Sequence, residues 1–475
     1  MAVIKKVAKN TLFLASSQII SKLAGFFFLV IVARYLGVED YGKYAFAFAF
    51  ASLFSFMVNF GLTPLTIREV AQDKSRADRY LSNSLALKLV LFVATFLLMF
   101  ITINIMRYPA DTKLAVYIAG IVLLFDGIEG CFNSIFSAFQ RMEFQAFLAV
   151  LRRGLLIAIG LFFISLGFGL VPLVTVSVFS AVISVLFAFG IVSMRFLKIR
   201  LGFDLKFWKY LFVSAFPFMI VTALSMIYLR IDTVMISMIK GDMPVGWYNA
   251  AYNFILGIAS VPIAFVAALY PVMSGYAESS IEKMSDAYRR AFKYLAILSI
   301  PMAIGTTLLA GRFIHIAYGK EYAFATIALQ ILIWAEAFNF LNYLFGMVMR
   351  STNSQVLLAK IVFGGALLNI ALNSVLIPFY SYVGAAISTV ASYFIVFLCS
   401  FIYISRHVTG VPLMSFLIRP VVAGLLMGVF VYNFFELNIL LLVCLSAVIY
   451  FAVLFIIGGF SAVDFRSMKR IIGGE

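Results

Sequence analysis

The sequence predicts an all-α integral membrane protein of about 14 transmembrane helices: two six-helix lobes related by an axis along the membrane normal, plus two C-terminal helices. Three observations lead there. Hydrophobic residues fill 64% of the 475 positions and charged ones 12%, with a mean hydropathy of +1.08, whereas soluble domains carry roughly 45–50% apolar and about 25% charged residues. The apolar residues gather into runs of about 20, the length that crosses a bilayer. Finally, the second half of the chain repeats features of the first. This composition excludes a soluble enzyme with a single anchor. The 36 Lys plus Arg against 20 Asp plus Glu give a net +16. In a soluble chain that surplus would suggest nucleic acid, but in a membrane chain it marks cytoplasmic loops, so no nucleic-acid partner is expected. Cys131, Cys399 and Cys444 fall inside apolar runs, too few and too scattered for a disulfide or zinc framework.

The first run, Thr11 to Ala33, follows Lys5, Lys6 and Lys9. It is longer than a signal-peptide core and lacks a small-residue cleavage site, which predicts a retained first helix. Runs near 41–62, 83–105, 114–136, 144–166 and 169–192 complete the first lobe, assigned to 1–205. Runs near 214–238, 246–270, 291–312, 323–349, 353–377 and 381–404 form the second, 206–405. The remainder, 406–475, adds runs near 414–434 and 438–458 and a tail. Connections 63–82 and 274–293 are mixed in charge, which predicts short interfacial helices. An even number of crossings starting inside puts both termini in the cytoplasm. Of the 36 basic residues, 23 then lie in cytoplasmic segments, 7 in external ones and 6 within helices, the asymmetry of the positive-inside rule. The expectation is a multi-pass monomer of the cell (cytoplasmic) membrane, with the lipid bilayer as its surroundings.

The repeat appears when the chain is shifted against itself. At an offset of 204, Gly37, Gly42, Tyr44, Ala47 and Phe50 meet Gly241, Gly246, Tyr248, Ala251 and Phe254. At 210, Gln145, Ala149 and Gly154 meet Gln355, Ala359 and Gly364. Runs 1–6 thus correspond to runs 7–12. Six is even, so both halves keep one orientation, the arrangement in which a transporter's substrate site lies between two lobes near the midplane.

Charges inside the apolar spans are the candidate chemistry: Lys22, Asp126, Glu129, Arg153, Arg230, Glu336 and Lys360. At about 3 kcal/mol each against lipid, all seven must face a cavity or one another. Lys88, a turn into the third run, is expected to snorkel to the interface. Gln18, Lys22 and Gly25 form one polar stripe on the first run, with Lys22 roughly 17 Å along it, at the bilayer centre. Lys22 is either a contact for an anionic substrate or a packing partner for a carboxylate. Arg230 is either a second such contact or a local partner of Asp232. Asp126, Glu129 and Asn133 share a face of the fourth run. The depth of Glu129 matches Arg152 and Arg153, so an ion pair, above all Glu129 with Arg153, is one reading and proton or cation coupling the other. Asp126 lies deeper with no evident partner. Asn249 and Asn253, Glu336 and Asn339, and Asn369 and Asn373 are helical-spaced polar pairs of the kind that bond between helices. No catalytic or metal residue is read. With His315 and His407 as the only histidines, no phosphate loop, nucleophile elbow or HExxH pair occurs.

The segments Ser21, Lys22, Leu23, Ala24, Gly25, Phe26; Ala33 to Gly37 with Asp40, Tyr41, Gly42; and Arg230, Ile231, Asp232 with Val245, Gly246, Trp247, Tyr248 resemble a known family. It is the polysaccharide transporter and oligosaccharide-lipid (O-antigen-type) flippase branch of the multidrug, oligosaccharidyl-lipid and polysaccharide exporter superfamily, and the resemblance covers residues 1 to about 405. It implies a flippase that moves a polyprenyl-(pyro)phosphate-linked oligosaccharide from the cytoplasmic to the outer leaflet by alternating access. The expected substrate contacts are Gln18, Lys22, Arg153, Arg230, Asn249 and Asn253, and the expected coupling residues or cavity ion pairs are Asp126, Glu129, Glu336 and Lys360. No cofactor is expected, and coupling to Na+ or H+ is left open. Lys22 matches the basic residue that lipid II flippases carry before a glycine, but Phe28 and Leu29 stand where they have further charges. The drug-exporting branch often has an acidic residue in this helix, and none is present here. A cation-coupled multidrug or metabolite exporter of the same fold is the alternative. A membrane glycosyltransferase or polymerase is the second, although the external loops are short for one.

Overall fold

The computed structural model describes the backbone of residues 2–460, and side chains from Ser21 onward except at positions 268, 271, 277–279, 281 and 413. The described residues fold into α1 (Ala2–Asn59), α2 (Leu62–Gln72), α3 (Ala77–Ile105), α4 (Ala110–Ala138), α5 (Met142–Ser165), α6 (Leu170–Arg195), α7 (Leu205–Lys240), α8 (Asp242–Ile258), α9 (Ser260–Ser279), α10 (Ile281–Tyr318), α11 (Ala325–Ser351), α12 (Gln355–His407), α13 (Leu413–Asn433) and α14 (Ile439–Ile456). No strand occurs among them.

Twelve helical spans are long and apolar enough to cross a membrane, against fourteen expected runs. The difference has a geometric reason. Two spans, Ser21–Gln72 with 52 residues and Gln355–His407 with 53, would measure nearly 80 Å as straight helices, more than twice the apolar thickness of a bilayer. Each contains a break: Gly37 at φ 74°, ψ 176° in α1 and Ser381 at φ 54°, ψ −139° in α12. Gly37 falls between two of the expected runs, and Ser381 is the first residue of the expected run near 381–404. A Cβ on Gly384 would strike the Leu376 carbonyl, so the chain turns back tightly there.

Left-handed residues recur in both halves: Gly37 with Gly241, Arg107 with Gly319, Gln140 with Asn353, and Gly167 with Ser381. These pairs are 204, 212, 213 and 214 residues apart, so the repeat is a repeat of backbone geometry. Glycine adopts φ above zero without strain, which explains why it fills four of the eight positions.

The predicted interfacial helix of 63–82 appears as α2, whose Leu62, Leu65, Thr66 and Val70 are buried along one side. The one predicted over 274–293 does not form separately. Those residues are divided between the end of α9 and the first turns of α10, which Ser280 caps by accepting from the Lys283 N–H at 3.3 Å.

The chain divides into two compact units, Met1–Ala250 with Ile370–Ala385 and Ala251–Asn369 with Ala386–Glu475. In the first, α1 packs on α4, α5 and α7, and α4 on α6. Its apolar core joins Phe132, Ile135 and Phe136 of α4 to Leu148 of α5, Val192 of α6 and Leu211 of α7. In the second, α10 packs on α11 and α13. Pro301 inside α10 cannot donate to the Ile297 carbonyl, and the buried Tyr450 hydroxyl of α14 donates to it instead at 2.8 Å. On α13, Ile418, Val421, Val422, Leu425 and Val429 are exposed while Ala423, Met427 and Val431 are buried, as expected of a helix with one side toward lipid.

Candidate functional site

The fold brings charged groups of the first unit together on α4, α5 and α1. Asp126 and Glu129 stand nearly one turn apart on α4, and Arg152 of α5 reaches both, with nitrogen to oxygen distances of 2.6 Å and 3.2 Å. Further along the same seam, the Gln145 amide donates to the Asn133 carbonyl at 2.5 Å and to Ser137 Oγ at 2.6 Å. Asp126, expected to lack a partner, thus has one.

The expected pairing of Glu129 with Arg153 is not the one that forms. Consecutive helical residues point about 100° apart, so when Arg152 faces α4, Arg153 must face elsewhere. Its guanidinium lies over Gly25 of α1, 2.8 Å from where a Cβ would stand. The Tyr44 hydroxyl is within electrostatic reach. Gly25 leaves room for this group, as Gly160 of α5 leaves room for the Phe28 ring of α1. Lys22, about one turn before Gly25, is exposed. Among the described residues neither Lys22 nor Arg153 makes an ion pair.

Arg230 of α7 is half-buried and also makes no ion pair among the described residues; the local pair with Asp232 does not form. Asp232 is buried and accepts from the Tyr248 hydroxyl at 2.7 Å and the Asn373 amide at 2.6 Å. Asn249 donates to the Val245 carbonyl at 3.0 Å and to Thr233 Oγ1 at 3.3 Å, a contact between α7 and α8. Asn253 is buried, with its side chain bonded to Tyr318. In the second unit, Glu336 is buried and accepts from Asn339 at 3.1 Å, while its other oxygen has no partner among the described residues. Lys360, expected in a cavity ion pair, is exposed on α12 and forms none among the described residues. The side chain of Gln18 lies outside the described residues.

Lys88 overturns its expectation. Only 1% exposed, it does not snorkel. Its ammonium donates to the Gly127 carbonyl at 3.0 Å, Asn59 Oδ1 at 3.3 Å and Thr63 Oγ1 at 3.3 Å, joining α3 to α1, α2 and α4. The whole first part of α3, Tyr80 to Lys88, is buried on every side, so no exposed face leads the lysine outward.

The electrostatic result is a division of labour between neighbours. Arg152 pairs with both carboxylates of α4 and balances one of their two charges, while Lys22 and Arg153, on either side of Gly25's turn, make no ion pair among the described residues. In a low-dielectric surrounding two such cations favour an anion.

Comparison with known proteins agrees with the fold and the composition. A family model described as polysaccharide biosynthesis protein matches residues 7–277, and the MatE model matches 217–375. The capsular polysaccharide biosynthesis protein CapF of Staphylococcus aureus is 22% identical over 84% of this chain and 100% of its own. The probable low-salt glycan biosynthesis flippase Agl15 of Haloferax volcanii is 21% identical over 82% and 81%. Among solved structures, the lipid II flippase MurJ in an inward closed conformation superposes with a TM-score of 0.80, at 17% identity, over 97% of this chain and 100% of the other, a likeness of fold. A multi-pass helical membrane protein with this repeat, matched over residues 7–277 by the model described as polysaccharide biosynthesis protein, belongs to the polysaccharide biosynthesis protein family.

Proposed function

We propose that this protein is a flippase that carries a polyprenyl-(pyro)phosphate-linked oligosaccharide from the cytoplasmic to the outer leaflet by alternating access, with lobes 1–205 and 206–405 as the moving bodies and 406–475 appended to them. The observation that carries the reading is the Arg153 guanidinium over Gly25, about one turn from exposed Lys22, with the nearby acids Asp126 and Glu129 already taken by Arg152. The substrate's phosphates are the anion such a site favours, and cations at membrane depth lower the cost of moving them through low dielectric. Arg230 is assigned a second contact, and Gln18, Asn249 and Asn253 contacts to the glycan. The isoprenoid tail stays in lipid, which fits the apolar outer faces of the helices. The names of CapF and Agl15 support a role in glycan export. Both termini are assigned to the cytoplasm of a cell-membrane monomer by the distribution of basic residues.

The cation-coupled exporter remains the second reading, supported by the MatE match and by buried Glu336, a carboxyl that Na+ or H+ could use. One experiment separates them. Purified protein in liposomes is expected to move a short-chain prenyl-pyrophosphate-linked sugar between leaflets, and cells expressing it are expected to gain no resistance to cationic dyes. Dye resistance without leaflet transfer across several lipid-linked sugars would promote the exporter.

A further inference from the structure

The second unit holds a polar cavity that the proposed transport site does not use. Its volume is about 500 Å³. Arg350, Ser351 and Ser354 of the α11–α12 turn line it, with Ser274 of α9 and Tyr403 and His407 from the end of α12. No carboxylate stands among its described lining residues. Arg350 is exposed and makes no ion pair among the described residues.

The wall is held together by its own bonds. Ser354 Oγ lies 2.9 Å from the Tyr403 hydroxyl and Ser274 Oγ 3.4 Å from Ser351 Oγ. The His407 ring stacks on Tyr403 at 4.5 Å between centroids, and its Nδ1 donates to the Tyr403 carbonyl at 3.0 Å. Ser354 occupies the N-cap position of α12, yet its hydroxyl goes to Tyr403 and to the Thr352 carbonyl at 3.2 Å, and no side chain caps the helix. The positive end of α12 therefore adds to the field of Arg350.

We propose that this cavity binds a phosphate group, borne by a lipid headgroup or free in solution. A guanidinium fork matches two phosphate oxygens, and serine hydroxyls, with Nε2–H of the imidazolium form of His407, supply donors for the rest. A neutral sugar would leave Arg350 without a counter-charge, and a cation would meet no carboxylate among the described lining residues. The cavity shares no residue with the Lys22 and Arg153 site, so the proposal stands or falls independently of the flippase reading.

The test is native mass spectrometry of the full-length protein with dioctanoyl phosphatidic acid, dioctanoylglycerol and inorganic phosphate as probes. Arg350→Gln is expected to weaken phosphatidic acid binding about tenfold, the loss of one charge-assisted contact. Lys206→Gln, which removes an exposed cation elsewhere, should leave it unchanged, and dioctanoylglycerol should not bind. Binding of phosphatidic acid alone identifies the lipid as the source, and equal binding of inorganic phosphate identifies the free ion. If Arg350→Gln lowers the melting temperature, Ser351→Ala and His407→Gln decide in its place. Affinity equal in all these variants, or lost equally in Lys206→Gln, would overturn the proposal.

Discussion

Gly42 and Gly246, equivalent in the two repeats, stand where the second half of α1 meets the start of α8. A Cβ on Gly42 would collide with the Asp242 carbonyl, and one on Gly246 would collide with the Val38 carbonyl. Each repeat thus offers its glycine to the other's backbone, the close approach that small residues permit between membrane helices.

Gly42→Ala and Gly246→Ala are therefore expected to destabilise the protein by about 1–3 kcal/mol each, because the obstacle is backbone that cannot swing aside. Gly154→Ala, with open space around it, serves as the comparison. Thermal unfolding in detergent checks this: equal melting temperatures for all three variants would contradict the packing.

Arg152→Gln should cost more than Arg153→Gln. It leaves Asp126 and Glu129 facing each other without their cation, a loss on the order of 3 kcal/mol, whereas Arg153 makes no ion pair among the described residues. A double-mutant cycle between Arg152 and Glu129 should show coupling, and one between Arg153 and Glu129 should not.

Lys88→Met is expected to melt at the wild-type temperature or above it. Burying an ammonium costs several kcal/mol, and a charged hydrogen bond returns roughly 1.5–3 kcal/mol when its geometry is good. Only the Gly127 carbonyl is as near as 3.0 Å, with Asn59 and Thr63 at 3.3 Å. A clear drop in melting temperature would mean that the ammonium contributes more by joining four helices than its burial costs.

The apolar runs, their number and the repeat could be read from the residues because lipid demands them of any helical crossing. Gly37 and Gly241 were visible as a repeated glycine, though their left-handed backbone was not. Which of Arg152 and Arg153 faces α4 was not legible, since adjacent residues point to different sides and only the rotation of α5 chooses between them. The fate of Lys88 was hidden for a related reason. Depth along a helix can be counted, but whether a lysine stem turns to the interface or inward depends on what neighbouring helices offer, here Asn59, Thr63 and the Gly127 carbonyl.

Asp204 gives a pH dependence outside the membrane. It caps α7 by accepting from the Phe207 N–H at 3.0 Å and pairs with Arg79 at 2.8 Å. These contacts, the backbone bond first, hold its carboxyl below the usual range. A depressed folded value means that the stabilisation is fully present above the ordinary carboxylate range, near pH 4, and is lost as pH falls through the folded value. Asp204→Asn should melt lower than wild type at neutral pH, with the gap closing in acid. A gap independent of pH would rule out the charge.

Transport itself should depend on Lys22 and Arg153 while folding does not. Lys22→Ala and Arg153→Gln are expected to reduce leaflet transfer at least tenfold with normal membrane insertion. Full activity in both would remove the anion-contact role.

The bond between Tyr450 and the Ile297 carbonyl gives the appended hairpin an address. A helix as uniformly apolar as α14 gains little from one axial position over another in lipid, where oily side chains pack equally well after sliding by a turn. The proline in α10 exposes one acceptor at one height, and only the tyrosine can answer it. Slippage by one turn would move that hydroxyl about 5.4 Å away and leave a bare carbonyl in a dry seam. A kink that weakens α10 thereby sets the register of α14, which lies outside the repeat and has no symmetry mate to align it.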